Sequence, residues 1–310
     1  MHQWPILHRF WERATNPAFA IDPADPVDRW QEEINALHSL GIAMEPALQF
    51  LYFQKPDGDG FRRWLLENRK ANGDDGAAAI EDVLSADDLA FWDEHGYVVV
   101  RQAVSPQQCA DARAAIWDFL QADADDPASW YRQHEGQTGL MLRLFDHPAL
   151  DRNRESARIR NAYRQLYRSD AIVKTIDKVS FNPPEHAGFH FLGSGLHWDI
   201  SLTLPIPFQL AGLLYLTDCA AAGGAFHCVP GFQRRIGAWL AALPAGADPR
   251  VLAPQTLEAI PVPGNAGDFV IWHQALPHCA TANRSRLPRM VQYLTYLPHQ
   301  MSVASTVASA

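Results

Sequence analysis

Residues 196–199 read Leu196-His197-Trp198-Asp199, and the fold turns on how this stretch is interpreted. A histidine and an aspartate stand two apart with an aromatic between them. On an extended strand, residues i and i+2 point to the same face. An imidazole nitrogen and a carboxylate oxygen can therefore converge on one metal ion. One further histidine from elsewhere would complete a 2-His-1-carboxylate face, a donor set that suits ferrous iron. The pair alone is a weak signal. With 13 His and 35 Asp plus Glu in 310 residues, chance supplies about 1.5 such triplets. Its meaning depends on the sequence around it.

That surrounding sequence reads as short strands. From about residue 172 the apolar period shifts from helical to extended. The runs are Ile172 to Phe181, Phe208 to Thr217, Gly224 to Val229, Leu257 to Val262, Asp268 to His273 and Arg289 to Leu297. Pro183-Pro184, Gly223-Gly224, Pro230-Gly231 and Pro263-Gly264 punctuate them. Short strands with turn signals between them predict a sandwich or jelly roll. One helix, near Phe232 to Leu243, is expected to interrupt them.

Upstream the period is helical. Ser85 with Asp88 forms a capping-box pattern, and its helix runs to Gly96, a residue placed to end it. A strand follows at Tyr97-Val98-Val99-Val100. Ser105-Pro106-Gln107-Gln108 then offers an N-cap, a proline at the first helical position and a glutamine at N3, for a helix reaching about Gln121. Ile159, Ala162, Tyr163 and Leu166 mark a further amphipathic helix. The first 84 residues read as helical and irregular. Trp30, Ile34, Leu37 and Leu40 follow helical spacing with Gly41 as a stop, and Phe61, Trp64 and Leu65 mark another helix. Asn72 to Gly76 reads as an exposed linker, and the small-residue tail after Gln300 as mobile.

Composition narrows the function classes. A net charge of -9 argues against a general nucleic-acid binder. No stretch reaches 18 uninterrupted apolar residues, which argues against a membrane span. The N-terminus lacks the layout of a secretory signal, so the expected location is cytoplasmic. Cys109, Cys219, Cys228 and Cys279 have neither C-x-x-C nor zinc spacing and read as free thiols in a reducing compartment.

Four motifs stand in order along the chain: HWD at His197 to Asp199, GGAFHCVPGF at Gly223 to Phe232, GDFVIWHQALPH at Gly267 to His278, and NRSRLPR at Asn283 to Arg289. Upstream, LSADDLAFWDEHGYVVVR spans Leu84 to Arg101. The ordered set resembles the phytanoyl-CoA dioxygenase family of Fe(II)/2-oxoglutarate oxygenases over roughly residues 84 to 298. The resemblance implies that His197, Asp199 and His278 bind iron. His273 competes with His278 by position, but the family places its distal histidine after a break such as Leu276-Pro277. Three protein ligands leave three positions of an octahedral site for the keto acid end of 2-oxoglutarate and for O2.

Resemblance also implies that Arg289, eleven residues after His278, grips the far carboxylate of 2-oxoglutarate. A planar guanidinium donates two parallel hydrogen bonds to a carboxylate, and lysine cannot copy that fork. One departure is visible. Relatives often carry a small hydroxyl residue two positions after the distal histidine, where this chain has Ala280. Thr281 and Ser285 are the candidate replacements. Asp199 separates the chain from related halogenases, which have Gly or Ala there. Trp198, Phe191 and Trp272 lie near the motifs and are candidates for a substrate pocket, with core packing as the competing role.

The expected architecture is α+β: a double-stranded β-helix (jelly roll, cupin-like) at residues 85–310 with flanking helices, preceded by a helical extension at residues 1–84. The extension either covers the pocket mouth or builds a dimer of like chains. The resemblance implies a dioxygenase that hydroxylates a C–H bond of a small molecule, using Fe(II), 2-oxoglutarate and O2. Desaturation, cyclisation or epimerisation on the same iron centre is one alternative. A non-enzymatic metal-binding or sensing jelly roll is another, against which the presence of Arg289 counts.

Overall fold

A computed structural model of the chain describes residues 3–16, 19, 29–70 and 81–298. The expected linker at Asn72 to Gly76 and the tail after Gln300 lie outside these residues. Two compact units are formed, and neither is continuous in sequence. The first comprises Met1–Ala77, Ser169–Ile176 and Tyr296–Ala310; the second comprises Ala78–Arg168 and Asp177–Thr295.

In the first unit the described residues form helices α1 (Trp4–Thr15), α2 (Trp30–Ser39), α3 (Met44–Gln54) and α4 (Gly58–Asn68). Leu7, Phe10, Leu37, Ala47, Leu51, Phe61 and Leu65 bury their side chains together. Glu33, fully buried on α2, takes Arg9 Nε at 2.6 Å and Arg13 Nε at 2.9 Å. A buried carboxylate is tolerated there because both its oxygens are paired. Gly41, with φ +70°, ends the α2 turn as its position suggested.

The second unit opens with helix α5 (Ala86–His95), strand β1 (Tyr97–Val100) and helix α6 (Pro106–Leu120). Both capping boxes read from the sequence are present: Ser85 with Asp88, and Ser105 with Gln108. Gly96 adopts φ +76° as the left-handed stop between α5 and β1. Next come β2 (Gln137–Thr138), β3 (Met141–Leu142), α7 (Pro148–Arg154) and α8 (Ala157–Tyr167).

The remaining strands are β4 (Ile172–Lys174), β5 (Val179–Asn182), β6 (Leu210–Tyr215), β7 (Phe226–Cys228), β8 (Ile260–Val262), β9 (Phe269–His273), β10 (His278–Ala280), β11 (Arg289–Tyr293) and β12 (Tyr296–Pro298). The large sheet has the order β1-β9-β6-β11-β5-β3-β2, and a smaller one has β10-β7-β8. An antiparallel bridge between His197 and His278 adds the HWD segment beside β10. After β5 the chain crosses between the sheets: HWD, β6, β7-β8, β9, β10, β11. That winding is the double-stranded β-helix, and it makes strands distant in sequence into neighbours.

Two expected strands divide between the units. The run from Ile172 yields β4 and β5, and the run from Arg289 yields β11 and β12. β5 pairs with β11, whereas β4 pairs with β12. The helix expected at Phe232 to Leu243 is a 3-10 turn, Phe232–Arg234, followed by α9 (Ile236–Ala241). A further helix, α10 (Pro249–Thr256), is capped by Asp248 accepting from Arg250 N.

Strand alternation assigns the faces of the large sheet. Leu213, Tyr215, Val270, Trp272 and Val291 share one apolar cluster with Phe226 and Cys228 of the smaller sheet. These side chains fill the interior between the sheets. Phe181 meets Trp117 of α6, and Gln292 meets Asn153 of α7, so they lie on the outer face.

Candidate metal centre

The HWD segment is not part of a regular ladder. Apart from the bridge at His197 it is held by its neighbours, yet alternation still separates its side chains. Trp198 is 3% exposed, packs on Phe232 and Trp239, and donates its indole N–H to Ala275 O at 2.9 Å. The buried indole thus pins the segment, and His197 and Asp199 are turned together toward His278. Asp199 Oδ1 lies 3.5 Å from His197 Nε2, and Asp199 Oδ2 lies 3.1 Å from His278 Nε2. Donors on adjacent corners around an ion, with bonds of about 2.1 Å, stand about 3 Å apart. Among the described residues, His197, Asp199 and His278 form the group whose ligand atoms lie within 4.8 Å of one another.

Hydrogen bonds orient both imidazoles. His197 Nδ1 lies 2.8 Å from Gly195 O, and His278 Nδ1 lies 3.1 Å from Leu276 O. A carbonyl can only accept, so each Nδ1 carries the proton and each Nε2 is left to ligate. Burial opposes the charge on Asp199, but when the facing imidazoles are protonated their interaction with it outweighs burial and holds the carboxyl well below the usual range; in the neutral tautomer each Nε2 is instead a free ligand atom. The Asp199 carboxylate in turn raises the His197 pKa. The donor set and its outer hydrogen bonds fit a divalent iron.

The walls are aromatic. Phe226 and Trp272 lie with ring centroids 5.7 and 5.2 Å from that of His278. Of the aromatic pocket candidates, Trp272 is thus beside the centre, with its Nε1 buried and without a partner. Trp198 belongs to the core. The ring of Phe191 lies against Gly193 of its own loop. His273 points to the outer face, against Phe208, and its Nδ1 accepts from Ala275 N. It takes no part in the cluster.

Arg289 starts β11 opposite Asn182 of β5, on the interior face, and is 2% exposed. Its Nε and Nη1 are buried and have no hydrogen-bond partner. The ring of Tyr215 lies 5.9 Å from its guanidinium carbon. Cys219 is beside it, but burial raises the thiol pKa despite the nearby guanidinium, so the thiol supplies no counter-charge. A buried cation with two idle donors is costly unless an anion meets it. The donor set fits a carboxylate such as either end of 2-oxoglutarate.

Of the two hydroxyl candidates, Ser285 donates within its own turn, with Asn283 Oδ1 at 2.6 Å and Leu287 O at 3.0 Å. Thr281 contributes its carbonyl to Asn182 Nδ2. Sequence reasoning passed over β5, where Ser180 Oγ and Asn182 Oδ1 are buried without partners on the Arg289 face. The Val-Ser-Phe-Asn alternation was the available signal. It resembles a strand with one wet face, whereas here both faces are covered.

A double-stranded β-helix with two histidines and a carboxylate on its inner wall is the arrangement of cupin-like non-heme iron oxygenases. The phytanoyl-CoA dioxygenase (PhyH) family model matches residues 92–291, and the chain belongs to that family. Its members are Fe(II)- and 2-oxoglutarate-dependent, and those are the cofactors of this enzyme. A Dictyostelium discoideum protein named "Putative phytanoyl-CoA dioxygenase" is 19% identical over 261 residues, 67% of this chain and 74% of that protein. Similar solved structures include the non-heme alpha ketoglutarate dependent carbocyclase SnoK from nogalamycin biosynthesis. It is 21% identical, with 69% of this chain and 83% of that one covered and a TM-score of 0.49. EctD from S. alaskensis with bound Fe is 19% identical, with 71% and 79% covered and a TM-score of 0.49. No helix among the described residues is long and apolar enough to cross a membrane.

Proposed function

We propose that this chain is an Fe(II)/2-oxoglutarate-dependent dioxygenase that hydroxylates a C–H bond of a small-molecule substrate. His197, Asp199 and His278 would hold the iron, and Arg289 would anchor the cosubstrate. One observation carries the reading: three donors from segments far apart in sequence converge, with both imidazoles oriented by backbone carbonyls to leave Nε2 available. Bound iron supplies the oxidation, in which O2 and 2-oxoglutarate give a hydroxylated product, succinate and CO2.

The protein's part is placement. Gly195 O and Leu276 O hold the imidazoles in one tautomer. Arg289 fixes one end of the diacid through its idle donors, and Asn182, opposite it in register, faces the same space. Phe226, Trp272, Leu213 and Val291 line an apolar interior that excludes water from the reacting groups. Asp199 is 59% exposed on its side chain while His278 is 8% exposed, so substrate reaches the centre from the Asp199 side.

The test is anaerobic loading with Fe(II), then 2-oxoglutarate, O2 and a panel of small substrates. Succinate should form in proportion to a product heavier by one oxygen atom. Full succinate formation by both His197→Ala and Asp199→Ala variants would overturn the assignment.

A further inference from the structure

Strand β5 carries a hydroxyl on the same face as Arg289 that nothing in the fold engages. Ser180 is fully buried, and its Oγ has no hydrogen-bond partner. A buried hydroxyl left idle costs folding free energy, so such groups are rare unless a ligand or water engages them. Its direction follows from the register. Ser180 pairs with Val291, and Asn182 pairs with Arg289. Val291 belongs to the interior cluster, whereas Phe181 between the two polar residues faces Trp117 outside. Ser180 therefore shares the interior face with Arg289.

Its height along the barrel is equally informative. From Arg289, the interior positions of β11 run through Val291 to Tyr293, which pairs with Leu213 of β6. Two residues back along β6, Ala211 pairs with Trp272, whose ring flanks His278. Ser180, level with Val291, thus lies one step from Arg289 toward the metal centre. Diagonal neighbours on paired strands are about 7 Å apart at Cβ, within reach of one small ligand. A diacid running from Arg289 to the histidines must pass it.

Resting on the function proposed above, we infer that Ser180 is a cosubstrate-positioning residue. Its hydroxyl donates to an oxygen of 2-oxoglutarate. The donor is neutral and the acceptor anionic, a combination stronger than a neutral pair.

The experiment uses the full-length Fe(II)-loaded protein without oxygen. The dissociation constant for 2-oxoglutarate is measured by calorimetry for wild type, Ser180→Ala and Ser180→Cys, beside Arg289→Ala as a reference. The melting temperature of each metal-free protein is measured as well. Both Ser180 variants should bind 2-oxoglutarate about tenfold or more weakly. Their iron content should be unchanged, and the metal-free melting temperature should hold or rise, since an unpaired polar group has been removed. Affinity within twofold of wild type, with Arg289→Ala still impaired, would overturn the role of Ser180 alone. A fall of several degrees in the metal-free Ser180→Ala protein would also overturn it, because the hydroxyl would then be structural. Wild type failing to bind 2-oxoglutarate would overturn the proposed function and this inference together.

Discussion

Nε2 of His278 lies 3.1 Å from Oδ2 of Asp199, although 79 positions separate the two residues. The contact exists because β10 and the HWD segment are bridged edge to edge, with His197 and His278 exchanging backbone hydrogen bonds of 3.0 and 2.9 Å. The carboxylate thus meets both imidazoles, and its removal should weaken iron retention. Asp199→Ala is expected to contain far less Fe(II) than wild type after desalting, by elemental analysis, while its metal-free melting temperature stays near wild type because the Asp199 side chain is largely exposed. Iron retained at wild-type stoichiometry would contradict the ligand assignment.

Arg289 should trade stability for function. Arg289→Met removes a buried, unpaired charge and replaces it with an apolar side chain of similar length. Metal-free stability is expected to rise by about 1–3 kcal/mol in denaturant titrations. Binding of 2-oxoglutarate should fall at least a hundredfold, and Arg289→Lys should restore little of it, because a point charge lacks the fork.

Trp198 separates packing from substrate contact. Trp198→Phe should cost about 1–2 kcal/mol, from the lost bond to Ala275 O and the smaller ring. Turnover per iron-loaded molecule and the Michaelis constant for substrate should stay close to wild type at a temperature where the variant is folded. A large change in the Michaelis constant alone would mean that the indole touches substrate.

His273 predicts acid sensitivity. Burial lowers its pKa to about 4, so it stays neutral in the folded chain. Its ring meets Phe208, and no carboxylate pairs with it among the described residues. The unfolded chain takes up that proton near pH 6.5. Since the unfolded state binds the proton first, this contribution is complete above pH 6.5 and drains as pH falls toward 4. Allowing for partial exposure, the loss is on the order of 2 kcal/mol. Denaturant titrations at pH 7.5 and pH 5 should show a smaller drop in His273→Phe than in wild type.

Gly224 packs closely against Asn182 and Thr281. It has φ +76°, and a Cβ there would stand 2.6 Å from Asn182 Nδ2 and 2.9 Å from Thr281 O. Gly224→Ala should destabilise the protein by about 1–3 kcal/mol and also weaken 2-oxoglutarate binding, since Asn182 must shift. Unchanged stability would show that the turn relaxes freely.

Much of this was legible along the chain because it is local. The caps at Ser85 and Ser105 act within one helical turn, so their spacing suffices. Each extended run also contains strand, with ends that differ from the expected ones by at most three residues. The division of Ile172 to Phe181 into β4 and β5 was marked locally only by the polar residues Lys174, Thr175, Asp177 and Lys178, which an exposed strand face also carries; their different partners separate the two. Trp198 was equally ambiguous. An aromatic between two polar residues fits a pocket wall as well as a core, and the packing of Phe232, Trp239 and Ala275 O around it decides the matter.

By itself, then, the order of residues determined the capped helix starts at Ser85 and Ser105, the strand-rich second half and the family pattern running from His197 to Arg289. Those depend on neighbours in sequence and on residue identity. Only the tertiary structure decided which polar groups are left without partners. Whether Ser180 faces water, a carbonyl or an enclosed space depends on what the second sheet and the outer helices place over it. Hydrogen-bond satisfaction belongs to a volume, and no stretch of β5 read alone contains the atoms that fill or fail to fill it.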